Sequence, residues 1–128
     1  MATWMVILTD EVRAWLAGLT KQGGDTEDPQ TALLVRAAIR VLASEGPTLG
    51  RPLVDTVKGS KLSNLKELRP GSSGRSEIRI LFAFDPRRQA ILLVAGDKSR
   101  DWKGWYKTAI TEAERLYAAH LLEIRRKA

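Results

Sequence analysis

Four cations that lie far apart in the chain fall at the ends of strand-like runs: Arg69, Arg75, Arg79 and Lys98. In EIRILFAF, residues 77–84, the apolar side chains Ile78, Ile80, Phe82 and Phe84 share one face. Arg79 therefore faces the other way, beside Leu81 and Ala83. Arg69 closes the preceding strand, and Lys98 follows the apolar strand QAILLVAG after a turn. In an antiparallel meander the end of one strand lies beside the start of the next. Arg69 and Arg75 then approach Arg79, and Lys98 returns to the same end. Cations so gathered repel one another unless an anion compensates them. The chemistry on offer is phosphate binding and stabilisation of charge building on a phosphoryl group under attack. The competing reading is a solvated basic face.

Residues 94–106, VAGDKSRDWKGWY, add Arg100 and Lys103 and interleave them with Trp102, Trp105 and Tyr106. Aromatic rings among cations suit a base stacked beside a held phosphate. Trp102 and Trp105 are three apart, so one helical face carries both, and core packing accounts for at least one of them. Tyr106 falls on the adjacent face and is the better candidate for substrate. Lys66 lies in the weak strand NLKELR and extends the positive side. His120, the one histidine, sits in a helix without a Ser or Cys partner, which points to a structural or solvent-facing role. With no cysteine, a transition-metal site has too few ligands, and no cofactor motif is present. Gly71-Ser72-Ser73-Gly74 has the form of a KH-domain GxxG loop, but strands rather than helices flank it.

The chain has 128 residues and a net charge of +6. That length suits one domain, residues 1–128, with a core of its own. Twelve Lys or Arg against five Asp or Glu fall between Lys58 and Lys107, and the remainder is nearly balanced. So concentrated a field attracts polyanions, nucleic acid above all, or an acidic protein partner. The start, MATWMVILTDEVRAWL, with an acidic pair by residue 11 and no long apolar stretch, is expected to be neither a signal peptide nor a membrane span. The absence of cysteine fits a reducing compartment, and the expected location is cytoplasmic.

Residues 3–8, TWMVIL, read as a strand. Asp10 then caps a helix with Val12, Trp15, Leu16 and Leu19 on one side, ending at Gly23-Gly24. Asp28-Pro29 starts a second helix whose apolar stripe is Leu34, Ala37, Ala38, Val41 and Leu42, stopped at Glu45-Gly46-Pro47. Residues 46–63 read as loop, with a short strand at 53–57. Three strands follow: 64–69, the 77–84 run, and QAILLVAG across the Asp85-Pro86-Arg87-Arg88 turn. The last strand is continuously apolar, hence central and buried on both faces. The tail from Thr108 is helical, with Ile110, Ala113, Leu116, Tyr117, Leu121 and Ile124 on one side, and residues 102–107 form a separate turn before it. The order β-α-α-β-β-β-α predicts an α+β fold: a mainly antiparallel four-stranded sheet, an N-terminal helical hairpin on one face and a C-terminal helix.

The run LKELRPGSSGRSEIRILFAFDPRRQAILLVAGDKSRDWKGWYKTAITEAERLY resembles the RelE/ParE toxin superfamily, closest to its HigB-like, phage-derived branch. The resemblance lies in a strand ending in LR, a glycine-containing turn, an arginine-to-aromatic strand, a hairpin, an apolar strand ending in glycine and a basic residue, and a terminal helix. It implies the toxin of a type II toxin–antitoxin system: a ribosome-dependent endoribonuclease that cuts mRNA by metal-independent 2′-hydroxyl transesterification. The implied partners are the ribosome, mRNA and a cognate antitoxin, a helix-turn-helix protein encoded by the adjacent gene. On this resemblance Arg79 contacts the scissile phosphate. Lys98, Arg69 and Tyr106 complete the catalytic set, and Arg75, Lys66, Arg100, Trp102 and Lys103 bind RNA. Two strand lysines of RelE proper fall on Leu65 and Glu67, so the base that takes the 2′ proton is Lys66, Glu67 or Tyr106. Two other functions share these features: a ParE-like gyrase inhibitor, and a non-catalytic module that binds antitoxin or nucleic acid.

Overall fold

The computed structural model describes residues 4–19, 29–71, 77–99 and 101–127. Strand β1 (Met5–Leu8) leads into helix α1 (Asp10–Gly18), and α2 (Pro29–Glu45) follows. Strands β2 (Val54–Thr56), β3 (Lys66–Leu68), β4 (Ile78–Phe84) and β5 (Gln89–Asp97) precede the long helix α3 (Trp102–Lys127). The Gly23-Gly24 helix end, the Asp28 cap, and Arg75 and Arg100 lie outside the described residues. None of the described helices is long and apolar enough to cross a membrane.

The sheet has five strands rather than four, in the order β1-β5-β4-β3-β2. The additional strand is β2, within the short run expected at 53–57; it pairs antiparallel with β3 through Val54–Leu68, Asp55–Glu67 and Thr56–Lys66. β3, β4 and β5 form an antiparallel meander, while β1 lies parallel to β5. β5 is thus hydrogen-bonded on both sides, which matches its unbroken apolar run.

Both faces of the sheet are covered. Ile78, Ile80, Phe82, Leu68 and Leu92 pack against Val12 of α1 and Val35, Ala38 and Leu42 of α2. Leu65, Leu81, Ala83, Ile91 and Leu93 pack against Ala109, Ala113 and Tyr117 of α3. The face that carries Arg79 is therefore a second core rather than an open surface. Residues 102–107 are not a separate turn but the first part of α3. Asp101 sets that start: its carboxylate accepts from the Gly104 amide at 3.1 Å and its carbonyl from the Trp105 amide at 2.8 Å.

α1 buries the expected stripe, and Thr9 caps it through the Val12 amide. α2 is rotated from expectation. It buries Thr31, Ala32, Val35, Ala38 and Leu42, leaving Ala37 and Val41 exposed. Apolar residues occupy more than one row of this helix, so periodicity alone does not say which row meets the sheet. Gly46, at φ +60, lies under the Trp4 indole, where an added Cβ would approach Nε1 to 2.3 Å. Only glycine suits both the backbone and that contact.

The β4–β5 turn is held from inside. The buried Asp85 carboxylate accepts from the Arg87 and Gln89 amides at 2.9 and 3.0 Å and from the Gln89 side chain at 2.7 Å. His120 Nε2 of α3 lies 2.7 Å from Oδ2, the same oxygen that accepts from the Gln89 side chain. The histidine thus has the structural place its isolation suggested. Tyr117 donates to the Phe84 carbonyl at 2.8 Å, tying the same helix to the same turn.

Candidate functional site

Directly paired residues on neighbouring strands share a face. Asp55 opposes Glu67, and Glu67 opposes Leu81, so all three lie on the α3 side. Arg79, two residues before Leu81, and Arg69, two after Glu67, follow the same alternation. The result is a row of charges across three strands, closed from above by the first two turns of α3.

Arg79 is 8% exposed. Its Nη1 donates to the Ile78 carbonyl at 2.8 Å. Its Nε lies 3.9 Å from Glu67 Oε1 and, fully buried, donates no hydrogen bond among the described residues. A buried guanidinium N–H in that condition has the full desolvation cost of a polar group, which an anionic oxygen would offset. Arg69 spans both carboxylates, with Nε 3.9 Å from Glu67 Oε1 and Nη1 3.8 Å from Asp55 Oδ2. Arg51 closes the row at 2.8 Å from Asp55. Two carboxylates on facing positions repel, and the interleaved arginines make the arrangement tenable.

Tyr106 reaches down from α3 and donates to Glu67 Oε2 at 2.5 Å. Burial, and then the hydrogen bond and charge of Glu67, push its phenol well above the usual tyrosine range, with Arg79 opposing in part. It is a proton donor at neutral pH. Lys98 Nζ stands 5.5 Å from the centre of its ring, a cation–π distance. The Lys98 amide also donates to the Glu77 carbonyl at 3.1 Å, extending the β4–β5 ladder and fixing where the side chain emerges. Trp105 packs edge-on to Tyr106 with ring centres 5.1 Å apart and lies against Gly96, where an added Cβ would meet its Nε1 at 2.4 Å. Gly96 is needed there for close approach, and Trp105 is the anchoring tryptophan.

Arg79, Arg69 and Tyr106 thus meet around Glu67, and Lys98 stands over the Tyr106 ring beside them. Lys66 does not join them: it opposes Phe82, whose ring lies in the core under α1 and α2, so its side chain leaves on the other face. Trp102 and Lys103 sit exposed at the start of α3, with Lys103 Nζ 5.5 Å from the Trp102 ring centre. Arg75 and Arg100, outside the described residues, have no assigned position. The sequence offers Glu67 as one of three possible bases and does not single out Asp55. The alternation of Leu65, Glu67 and Arg69 was the available signal, since it puts Glu67 on the same face as Arg79. Beside Tyr106 and Glu67 opens a cleft of about 250 Å³, lined also by Thr56, Val57, Lys58, Trp102 and Ile110.

The chain matches the family described as "Phage derived protein Gp49-like" over residues 16–118, and it belongs to that family. This upholds the resemblance to the HigB-like, phage-derived branch. Two Mycobacterium tuberculosis proteins are similar over most of the chain. One, named "Putative toxin HigB2", is 55% identical over 114 residues, 89% of this chain but 53% of its own length. The other, named "Putative toxin HigB3", is 48% identical over 109 residues, 85% of this chain and 86% of its own. This chain thus spans about half the length of the first relative and most of the second.

Proposed function

We propose that this chain is the toxin of a type II toxin–antitoxin pair, acting as one cytoplasmic domain that cleaves mRNA on the ribosome. The toxin reading rests on the names of the two relatives. The nuclease reading rests on one observation: a carboxylate that accepts from a protonated phenol lies at ion-pair distance from a buried, incompletely bonded arginine.

The 2′-hydroxyl of the ribose attacks the adjacent phosphorus. Its O–H bond breaks, the new P–O bond closes a 2′,3′-cyclic phosphate, and the P–O5′ bond breaks. Glu67 takes the 2′ proton. Lys66 faces the other side of the sheet, and a phenol with a raised pKa is a poor base at neutral pH. Tyr106 or Lys98 supplies a proton to the leaving 5′ oxygen. Arg79, Arg69 and Lys98 offset the charge on the phosphorane oxygens, at roughly 3–4 kcal/mol for each well-placed donor. Binding that charge draws Arg69 and Arg79 from Glu67 toward the phosphate, which frees the carboxylate to accept the proton. The ribosome contributes orientation of the attacking hydroxyl. A cognate antitoxin is the expected partner.

Expression with and without the neighbouring gene tests this reading. Growth arrest with mRNA ends mapping to A-site codons, relieved by Arg79→Ala and by the neighbouring gene product, is the expected outcome. Gyrase inhibition with intact mRNA would favour the ParE-like function instead. One feature favours the non-catalytic module: Asp55 and Glu67 internally compensate much of the cationic row. That reading predicts harmless expression and nucleic-acid or antitoxin binding whose salt slope falls as charges are removed.

A further inference from the structure

Asp55 takes no part in the proposed cleavage, yet two hydrogen bonds anchor it in the charged row. Its Oδ1 accepts from the Thr56 amide at 2.9 Å, and its Oδ2 accepts from Arg51 Nη2 at 2.8 Å. These bonds, that from Arg51 first, hold its carboxyl below the usual range, so it is ionised at neutral pH. Arg69 is held differently. Its guanidinium lies 3.8 Å from Asp55 Oδ2 and 3.9 Å from Glu67 Oε1, both longer than a hydrogen bond. Its side chain is 33% exposed, against 9% for Arg79. The Arg69 backbone is fixed, because its amide donates to the Leu53 carbonyl at 2.7 Å, so what can move is the side chain. The anion is anchored and the cation beside it is loose.

We propose that Asp55 is a built-in counter-anion of the phosphate centre: an incoming phosphate displaces it from Arg69, and the cost of that exchange sets how tightly the centre binds. A phosphate that recruits Arg69 gains a forked donor. It also draws the guanidinium away from Asp55, whose charge stays in place on Arg51 and repels the newcomer along the row. Glu67 can shed its charge by accepting a proton in the proposed reaction, whereas Asp55 has no such exit. Asp55 sits on β2, at the end of the strand order, so its charge can be removed without touching the reacting groups. A carboxylate that merely oriented Arg69 would act with the opposite sign, since its loss would weaken phosphate binding. The inference rests on the proposed nuclease reading, because it takes the charged row to be a phosphate site.

The test is calorimetric titration of the full chain with inorganic phosphate at low salt, for the native protein, Asp55→Asn and Asp55→Ser. Asparagine keeps an acceptor for the Thr56 amide, and serine is the smaller replacement in case the amide crowds Arg51. Phosphate is expected to bind about fivefold more tightly once the charge is gone, the scale of one exposed ion pair. In an Arg69→Gln background most of that gain should vanish, because the coupling runs through Arg69. If neither variant gains affinity, the counter-anion is overturned while the phosphate centre stands. A gain that persists in full without Arg69 overturns it too, as a general effect of net charge. If none of the three proteins binds phosphate, the phosphate centre itself fails, and the counter-anion with it.

Discussion

Tyr106 donates its phenolic proton to Glu67 across 39 residues of sequence, joining the first turns of α3 to the middle of a three-residue strand. Glu67 also lies at ion-pair distance from Arg79, 3.9 Å from its Nε. One acidic side chain therefore decides how the phenol, the buried guanidinium and the more exposed Arg69 are held together. The expectations below follow from that junction and from the contacts that support it.

Arg79→Ala removes the one strongly buried cation of the row, and mRNA cleavage is expected to fall by 100-fold or more, in line with about 3 kcal/mol of lost charge stabilisation. Arg79→Lys should recover little, because an ammonium cannot reproduce the planar fork that bonds the Ile78 carbonyl while facing Glu67. Single-turnover cleavage rates, with circular dichroism to verify folding, decide this.

Alkaline stability should depend on Tyr106. Its phenol is raised in the folded protein above the ordinary value of 10.0, by burial first and then by Glu67. The protonated phenol therefore favours the folded state, an advantage fully present below pH 10 and lost as pH climbs toward the higher folded value. Urea midpoints should fall more steeply for the native chain than for Tyr106→Phe above about pH 10. Parallel curves would remove the Glu67 contact from the account.

Asp85 should be costly to remove. Burial alone would raise its carboxyl, but hydrogen bonds from His120, Gln89 and two backbone amides outweigh this and hold it below the usual range. A depressed carboxylate stabilises the fold above its unfolded pKa, and that contribution is lost as pH falls through the folded value. Asp85→Ala is expected to destabilise the protein by about 3 kcal/mol at pH 7, and by progressively less below pH 4. Thermal melts across that range measure it.

Gly96→Ala separates close packing from strand propensity. In a strand, alanine is ordinarily no worse than glycine. Here its methyl would press on Trp105, so a loss of about 1–3 kcal/mol and weakened phosphate binding through the displaced Trp105–Tyr106 pair are expected. Denaturant unfolding and phosphate titration of the same variant report both.

Much of this architecture can be read from local patterns. The alternation in β4 puts Arg79 opposite Ile78 and Ile80, and the unbroken apolar run of β5 marks a strand with neighbours on both sides. What local patterns miss is what covers each surface. The Arg79 face is a second core because α3 packs across it, and helix docking leaves no mark in the strand's own period. α2 offers two apolar rows, and only packing selects the one through Val35 and Ala38. The pairing of Glu67 with Tyr106 joins segments whose relative register depends on where Asp101 starts α3. Lys66 and Glu67 differ by one position, and that step alone sends one away from the centre and the other into it.

The most direct measurement is cleavage of end-labelled mRNA by the purified chain on ribosomes with a defined A-site codon, comparing the native protein with Glu67→Gln. The account predicts cuts within that codon leaving 2′,3′-cyclic phosphate ends, slowed at least 100-fold by the amide. Intact mRNA with the native chain, or an amide variant that cuts equally fast, would contradict it.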